Sequence, residues 1–199
     1  MGAEIRMKEI PKPSQSEIQK YLEKWNLLEN YILQDRALEK LFIHVYPNNN
    51  DISEILIKAS SLNDFYSTNI FSIFPVAKHI LELDIDKRLK DRDTTLVNDI
   101  ARVEMNGRVM NFYSFATKYC SHHDPKGFPI YDSYVEKCLM YFKQKDRFAE
   151  FSRTDLKDYS QFKNILISFK KYYNIDCFDL KDIDKYLWQL GKEYFPNKY

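Results

Sequence analysis

Only four glycines occur in 199 residues, and that shortage constrains the fold more than any other feature of the chain. Tight β-hairpins draw on residues that tolerate positive φ, glycine above all, so a sheet-rich architecture starts at a disadvantage and helices become the default. Material for a core is abundant. Fifteen tyrosines, fourteen phenylalanines and two tryptophans sit within a 44% hydrophobic composition, which excludes a natively disordered chain. A chain of this size buries roughly 70% of its unfolded surface, enough for a domain without disulfide or metal staples. The expected class is all-α: a single compact helical domain over residues 1–199, with 1–13 as an extended N-terminal segment.

Hydrophobic spacing and capping signals place the helices. Ser14 with Glu17 forms a capping box after Pro11 and Pro13, and Ile18, Tyr21, Leu22, Trp25 and Leu28 follow at helical spacing. Residues 15 to about 46 read as one bent helix or two, ended by Pro47 and three asparagines. Asp51 with Glu54 opens a helix that should stop near Tyr66. Ile70 to Leu83 reads as a buried helix with Pro75 in its first turn or at a kink, and Asp84 to Asp93 as a solvated connection or short helix. Asp93 then caps a helix that reaches Glu104, and a turn follows at Met105, Asn106 and Gly107. Further helices are expected from Val109 to about His122 and from Ser133 to about Lys145, and two more begin at Asp158 and Asp179. No internal repeat or linker divides the chain.

A net charge of +1 conceals an asymmetry. Residues 1–100 carry thirteen basic and sixteen acidic side chains, and residues 101–199 carry seventeen and thirteen. The spacing of Cys120, Cys138 and Cys177 fits neither a disulfide framework nor a paired zinc motif, so they read as buried thiols in a reducing compartment. The apolar stretch Ile70 to Ala77 is interrupted by Ser72 and Pro75 and is far shorter than the ~20 residues a membrane span needs. A cytoplasmic protein with no membrane association, metal or cofactor is the expectation.

The most individual passage runs from Ile100 to Tyr134, reading IARVEMNGRVMNFYSFATKYCSHHDPKGFPIYDSY. A helix, a turn holding Gly107, a second helix and a proline loop lead to Asp132 at the start of a third helix. A turn between helices can present the unpartnered N–H groups of the second helix to a phosphate, and Arg108 adds a charge there. This layout resembles the helix-hairpin-helix DNA glycosylases, in particular the oxoguanine-glycosylase-like branch. In that family a loop ending apolar-Pro-apolar-Asp sets a catalytic aspartate at a helix N-terminus; here Phe128, Pro129, Ile130, Tyr131 and Asp132 stand in that place, one residue longer.

The resemblance implies hydrolysis of the N-glycosidic bond of a damaged or modified base, with DNA as partner and Asp132 as the catalytic carboxylate. It makes Gly107, Arg108, Asn111 and Lys118 the DNA-contacting candidates. An extruded base would lie against Tyr113, Tyr131 and Tyr134. The family hairpin usually has two glycines, and MNGRV has one. Where bifunctional members carry a nucleophilic lysine this chain has Asn111, Phe112 and Tyr113, with Lys118 about two turns further on, so a monofunctional route is expected. The cysteine spacing does not fit an iron–sulfur cluster.

Plainer readings compete. Aspartate is a favoured helix N-cap, and Ser133 with Glu136 could form a capping box of its own. Cys120 with His123 lacks a second ligand pair for zinc, and the paired histidines suit a helix C-terminus as partial positive charges. Phe112, Tyr113, Phe115 and Tyr119 have the spacing of a core stripe. The alternative to an enzyme is a non-catalytic module that keeps the fold and binds a protein partner.

Overall fold

Side-chain caps start five of the described helices at positions their sequences signal, by Ser14, Asp51, Asp132, Asp158 and Asp179. Residues 9–196 are described by the computed structural model; residues 1–8 of the expected N-terminal segment lie outside them. In α1 (Gln15–Trp25) the Ser14 hydroxyl accepts the Glu17 N–H at 3.2 Å. The long segment to residue 46 is two helices: α2 (Glu29–Glu39) follows a break at Asn26, and it continues as a π-helical stretch over Lys40–Val45. Asp51 caps α3 (Ile52–Tyr66) by accepting the Ser53 N–H at 2.7 Å. Pro75 sits in the first turn of α4 (Ile73–Glu82), where its missing N–H is not needed. The charged connection holds the short α5 (Asp86–Lys90), and α6 (Thr95–Ala101) follows.

The next segment departs from the helical expectation. The helix expected to reach Glu104 ends at Ala101, and the one expected from Val109 starts at Tyr113. Between them β1 (Arg102–Met105) and β2 (Arg108–Asn111) pair antiparallel, with Val103 opposite Met110. Asn106 and Gly107 take φ of 52° and 72°. Positive φ at both central positions is the requirement of the two-residue type I′ turn, and Asn-Gly is the pair that meets it best. One glycine, with an asparagine before it, is therefore enough for a hairpin. The turn joins strands, so the helix N-terminus expected beside Gly107 is absent from that position.

Helix α7 (Tyr113–His123) runs through the middle of the molecule, with Phe115, Ala116, Tyr119 and Cys120 essentially inaccessible. It packs against α6, α3 and the π-helical stretch. Helix α8 (Ser133–Asp146) lies on α10 (Leu180–Tyr194), and α9 (Tyr159–Tyr172) on α6. The α8–α10 crossing is close because residue 191 is glycine: a Cβ there would lie 2.5 Å from the Tyr134 Cβ. Helix α1 closes the molecule against α10, where the Tyr21 hydroxyl donates to Glu193 at 2.9 Å and Gln189 donates to the Tyr21 carbonyl at 2.9 Å. The architecture of the described residues is thus mostly helical, with one small two-stranded sheet among them. Cys120 and Cys138 are buried, but Cys177 is exposed, contrary to the expectation that all three thiols are internal.

Candidate functional site

A cavity of about 260 Å³ lies where the two ends of the chain meet. Trp25, Tyr31, Gln34 and Asp35 come from α1 and α2, Phe65, Tyr66 and Ser67 from the end of α3, and Lys118 and Ser121 from α7. Ile130, Asp132 and Val135 come from the proline loop and α8, and Lys181, Asp184, Lys185 and Trp188 from α10. The size is near the lower end of ligand pockets, about 300–1,000 Å³, and suits a single ring system.

Lys118 is buried in this wall, 3% exposed. Its Nζ donates to the Ser114 hydroxyl at 2.6 Å and to the carbonyls of Ser114 and Tyr131 at 3.3 Å each, and lies 5.3 Å from the Tyr66 ring centre. Loss of water around the ammonium brings its pKa down to about 8, against the opposing pull of Asp132 and Asp184. Asp132 is the N-cap of α8: its Oδ1 accepts the Tyr134 N–H at 2.8 Å. It also lines the cavity, half-buried, so capping and an approach to a ligand are compatible roles of one side chain. Asp184 is 7% exposed, and its Oδ2 accepts the Ile130 N–H at 2.7 Å. Burial raises its pKa well above the usual carboxylate range.

One side of the cavity is aromatic. The Tyr31 and Trp188 rings lie 5.0 Å apart, Trp25 and Trp188 5.8 Å, and Trp25 and Tyr31 6.1 Å. Lysines decorate these rings: Lys185 stands 5.1 Å from Trp25, and Lys192 stands 4.3 Å from Trp188. Lys181 pairs with Asp35 at 2.9 Å. The Tyr66 hydroxyl is 3.0 Å from His122 Nε2. Burial lowers the His122 pKa to about 4 and that of His123 well below its ordinary value, so both rings are neutral at pH 7. The expectation that they carry positive charge at a helix end is corrected: desolvation outweighs the helix dipole. Among the described residues no cluster of His, Cys, Asp and Glu is arranged to hold a metal ion.

The structure brings together Asp132 and Lys118 from the sequence-based candidates. Gly107, Arg108 and Asn111 are exposed on the hairpin and do not line the cavity. Tyr113 and Tyr131 pack against each other at 5.0 Å in the core, with the Tyr131 hydroxyl donating to Glu136. Tyr134 lies against Gly191, and none of the three tyrosines lines the cavity. Trp25, Tyr31, Asp184 and Trp188 take that place. Asp184 and Trp188 are four residues apart on α10 and share a face, a spacing visible in the sequence but uninformative until the opposite wall is known.

A family model, HI_0787_N, described as an N-terminal domain, matches residues 17–127. An uncharacterized protein of Haemophilus influenzae is 53% identical over 146 residues, covering 73% of this chain and 70% of that protein. Neither description names an activity. No solved structure matches the chain. Among the described residues no helix is long and apolar enough to cross a membrane.

Proposed function

The chain belongs to the HI_0787_N family, and we propose from the geometry of its cavity that it is a DNA glycosylase-like enzyme, hydrolysing the N-glycosidic bond of a damaged or modified base extruded from the duplex. The observation that carries this reading is the meeting of Asp132 and Lys118 in one aromatic-walled cavity whose rim bears Lys181 and Lys185. A base turned out of a stack needs a flat apolar surface in exchange, which Trp25, Tyr31 and Trp188 offer. The sugar left behind develops positive charge, which a carboxylate beside it stabilises.

The bond that breaks is C1′–N, and its electron pair leaves with the base. A water oxygen bonds to C1′, and Asp132 accepts the proton that this water loses. Below pH 8 Lys118 is an ammonium and gives a proton to the departing ring nitrogen. A second route uses the same side chain above pH 8, where it is a free amine: Nζ bonds to C1′ as the C1′–N bond to the base breaks, the base leaves with the electron pair and takes a proton from water, and a water molecule then displaces Nζ from C1′. The two routes have opposite pH signatures. Base release that falls as pH rises through about 8 identifies the ammonium, and release that rises identifies the amine.

Asp132→Asn is the direct test, because asparagine caps a helix about as well as aspartate does. The variant should melt with the wild type and release base from modified duplexes at least about 100-fold more slowly. Undiminished release by the variant, or no release by the wild type across a panel of oxidised, deaminated and alkylated bases, would overturn the proposal.

A further inference from the structure

A second cavity, of about 570 Å³, opens where α5, the loop before α3 and the C-terminal end of α7 meet, and shares no lining residue with the aromatic one. Asp86, Lys90, Arg92, His123 and Asp124 line it. Buried hydrogen bonds fix which way the histidine faces. Asn49, 2% exposed, accepts at Oδ1 from the Lys58 ammonium at 2.7 Å and from the Tyr119 hydroxyl at 2.6 Å. Its Nδ2 is therefore the donor, to Asp86 Oδ1 at 2.6 Å and to His123 Nε2 at 3.2 Å. A ring that accepts at Nε2 carries its proton on Nδ1. That N–H finds no acceptor among the described residues. The partnerless side-chain atoms sealed from solvent there are the hydroxyls of Tyr113 and Tyr186 and Asp184 Oδ1, so His123 Nδ1 stays open on the cavity that its ring lines.

The acceptors of this wall are in use, and donors are left over. Asp86 Oδ2 accepts the Asn49 N–H at 2.9 Å. Asp124 Oδ2 accepts from Arg92 Nε at 2.6 Å, and its Oδ1 accepts the Gly127 N–H at 3.0 Å. Arg92 is thus held in place with Nη1 unused, and Lys90 makes no hydrogen bond or ion pair among the described residues. Lys163 stands 5.9 Å from the Phe128 ring centre and close enough to Arg92 and Asp124 to feel both charges. With Lys58 behind Asp86, the cations around the cavity outnumber the carboxylates. The Arg92–Asp124 pair also has a built seat. A Cβ on residue 127 would lie 2.2 Å from Asp124 Oδ2 and 2.8 Å from Arg92 Nε, so glycine is what lets the pair lie there.

We propose that this cavity binds a phosphate group, held by Lys90, Arg92 Nη1 and the Nδ1–H of His123. Donors from three positions suit a tetrahedral group with three free oxygens better than a planar carboxylate with two, and charge-assisted bonds to phosphate are the strong ones. The group can belong to a free phosphate ester or to a nucleic-acid backbone, and the site stands apart from the reading of the aromatic cavity.

The test is a titration of inorganic phosphate in a buffer free of other oxyanions, followed by phosphorus NMR line broadening, with the wild type, Lys90→Gln and Gly127→Ala. Thermal melting verifies folding. The alanine Cβ meets only the ends of two surface side chains, so it displaces the ion pair without changing any charge. The wild type should bind, Lys90→Gln at least about 10-fold more weakly, as loss of a charge-assisted hydrogen bond implies, and Gly127→Ala at least about threefold more weakly. No broadening with the wild type overturns the site. Binding by Gly127→Ala or Lys90→Gln equal to wild type also overturns it, because surface charge in general then attracts the ion. Methyl phosphate and a short unmodified DNA duplex serve as competitors. Displacement by the duplex upholds the site and assigns it to the nucleic-acid backbone; displacement by methyl phosphate alone upholds it and assigns it to a free ester. Displacement by neither marks an adventitious ion only and overturns the proposal.

Discussion

At the scale of the residue, two side chains in the cavity each do a second job, and the two jobs can be separated. Asp132 caps α8 through Oδ1 and lines the cavity. Asp132→Ala should lower stability by about 1 kcal/mol through the lost cap, whereas Asp132→Asn should lower it by only a few tenths. If both variants lose base release equally, the carboxylate's charge matters to the chemistry independently of the cap. Lys118 holds an ammonium in a site that penalises it. Its folded pKa of about 8 lies below the ordinary 10.5, so the unfolded chain binds more protons between those values and stability rises with pH across that window. Lys118→Met should therefore stabilise the protein at pH 7, by about 1–3 kcal/mol, while abolishing base release. Denaturant titrations at pH 7 and pH 10 check both parts: the advantage of methionine should shrink at the higher pH. A destabilised variant at pH 7 would mean that the three hydrogen bonds made by Nζ outweigh its desolvation.

At the scale of the element, the caps were legible and the cavity was not. Ser14, Asp51, Asp158 and Asp179 act on backbone N–H groups two or three residues away, so sequence contains the whole interaction. The hairpin was equally local. Arg-Val-Glu-Met and Arg-Val-Met-Asn flank Asn106-Gly107, a strong I′ signal that the glycine shortage of the whole chain masks, because a type I′ turn needs only one glycine when an asparagine precedes it. Trp25 and Asp184 meet only after α1 and α10 have packed, and nothing within a helical turn of either announces the other.

Two variants probe these elements. Gly191→Ala should push α8 off α10 at Tyr134, costing about 1–3 kcal/mol and displacing Asp132, with base release falling more than the melting temperature alone explains. Release unchanged in a folded variant would show that the crossing does not position Asp132. On the hairpin, Arg108→Ala should weaken duplex binding and flatten the slope of log affinity against log salt by about one unit, as loss of one phosphate contact requires. An unaltered slope would remove the hairpin from the DNA interface.

At the scale of the whole molecule, two buried histidines whose pKa values are lowered by desolvation should make the protein acid-sensitive. In the folded chain His122 takes a proton near pH 4 and His123 lower than its ordinary value, whereas the unfolded chain takes both near 6.5. The folded pKa values are depressed, so the stability they confer is complete above about 6.5 and is lost as pH falls from there through 4. The expected loss for His122 alone is on the order of 3 kcal/mol by pH 4. Chemical denaturation from pH 7 to pH 4 measures it, and His122→Gln should flatten the acid limb. A limb as steep in the variant would assign the sensitivity to other groups.

The closure of α1 onto α10 also has a temporal consequence. The Tyr21–Glu193 hydrogen bond spans 172 residues, almost the length of the chain. A ribosome releases the N-terminal helices first, and they must wait for α10 before Trp25 and Tyr31 have Trp188 to face. The hairpin and the capped helices need only near neighbours and can form during synthesis, but contacts this distant in sequence form slowly. The site that would recognise a ligand is thus completed last, and a nascent chain truncated before α10 has half a pocket and no Asp184.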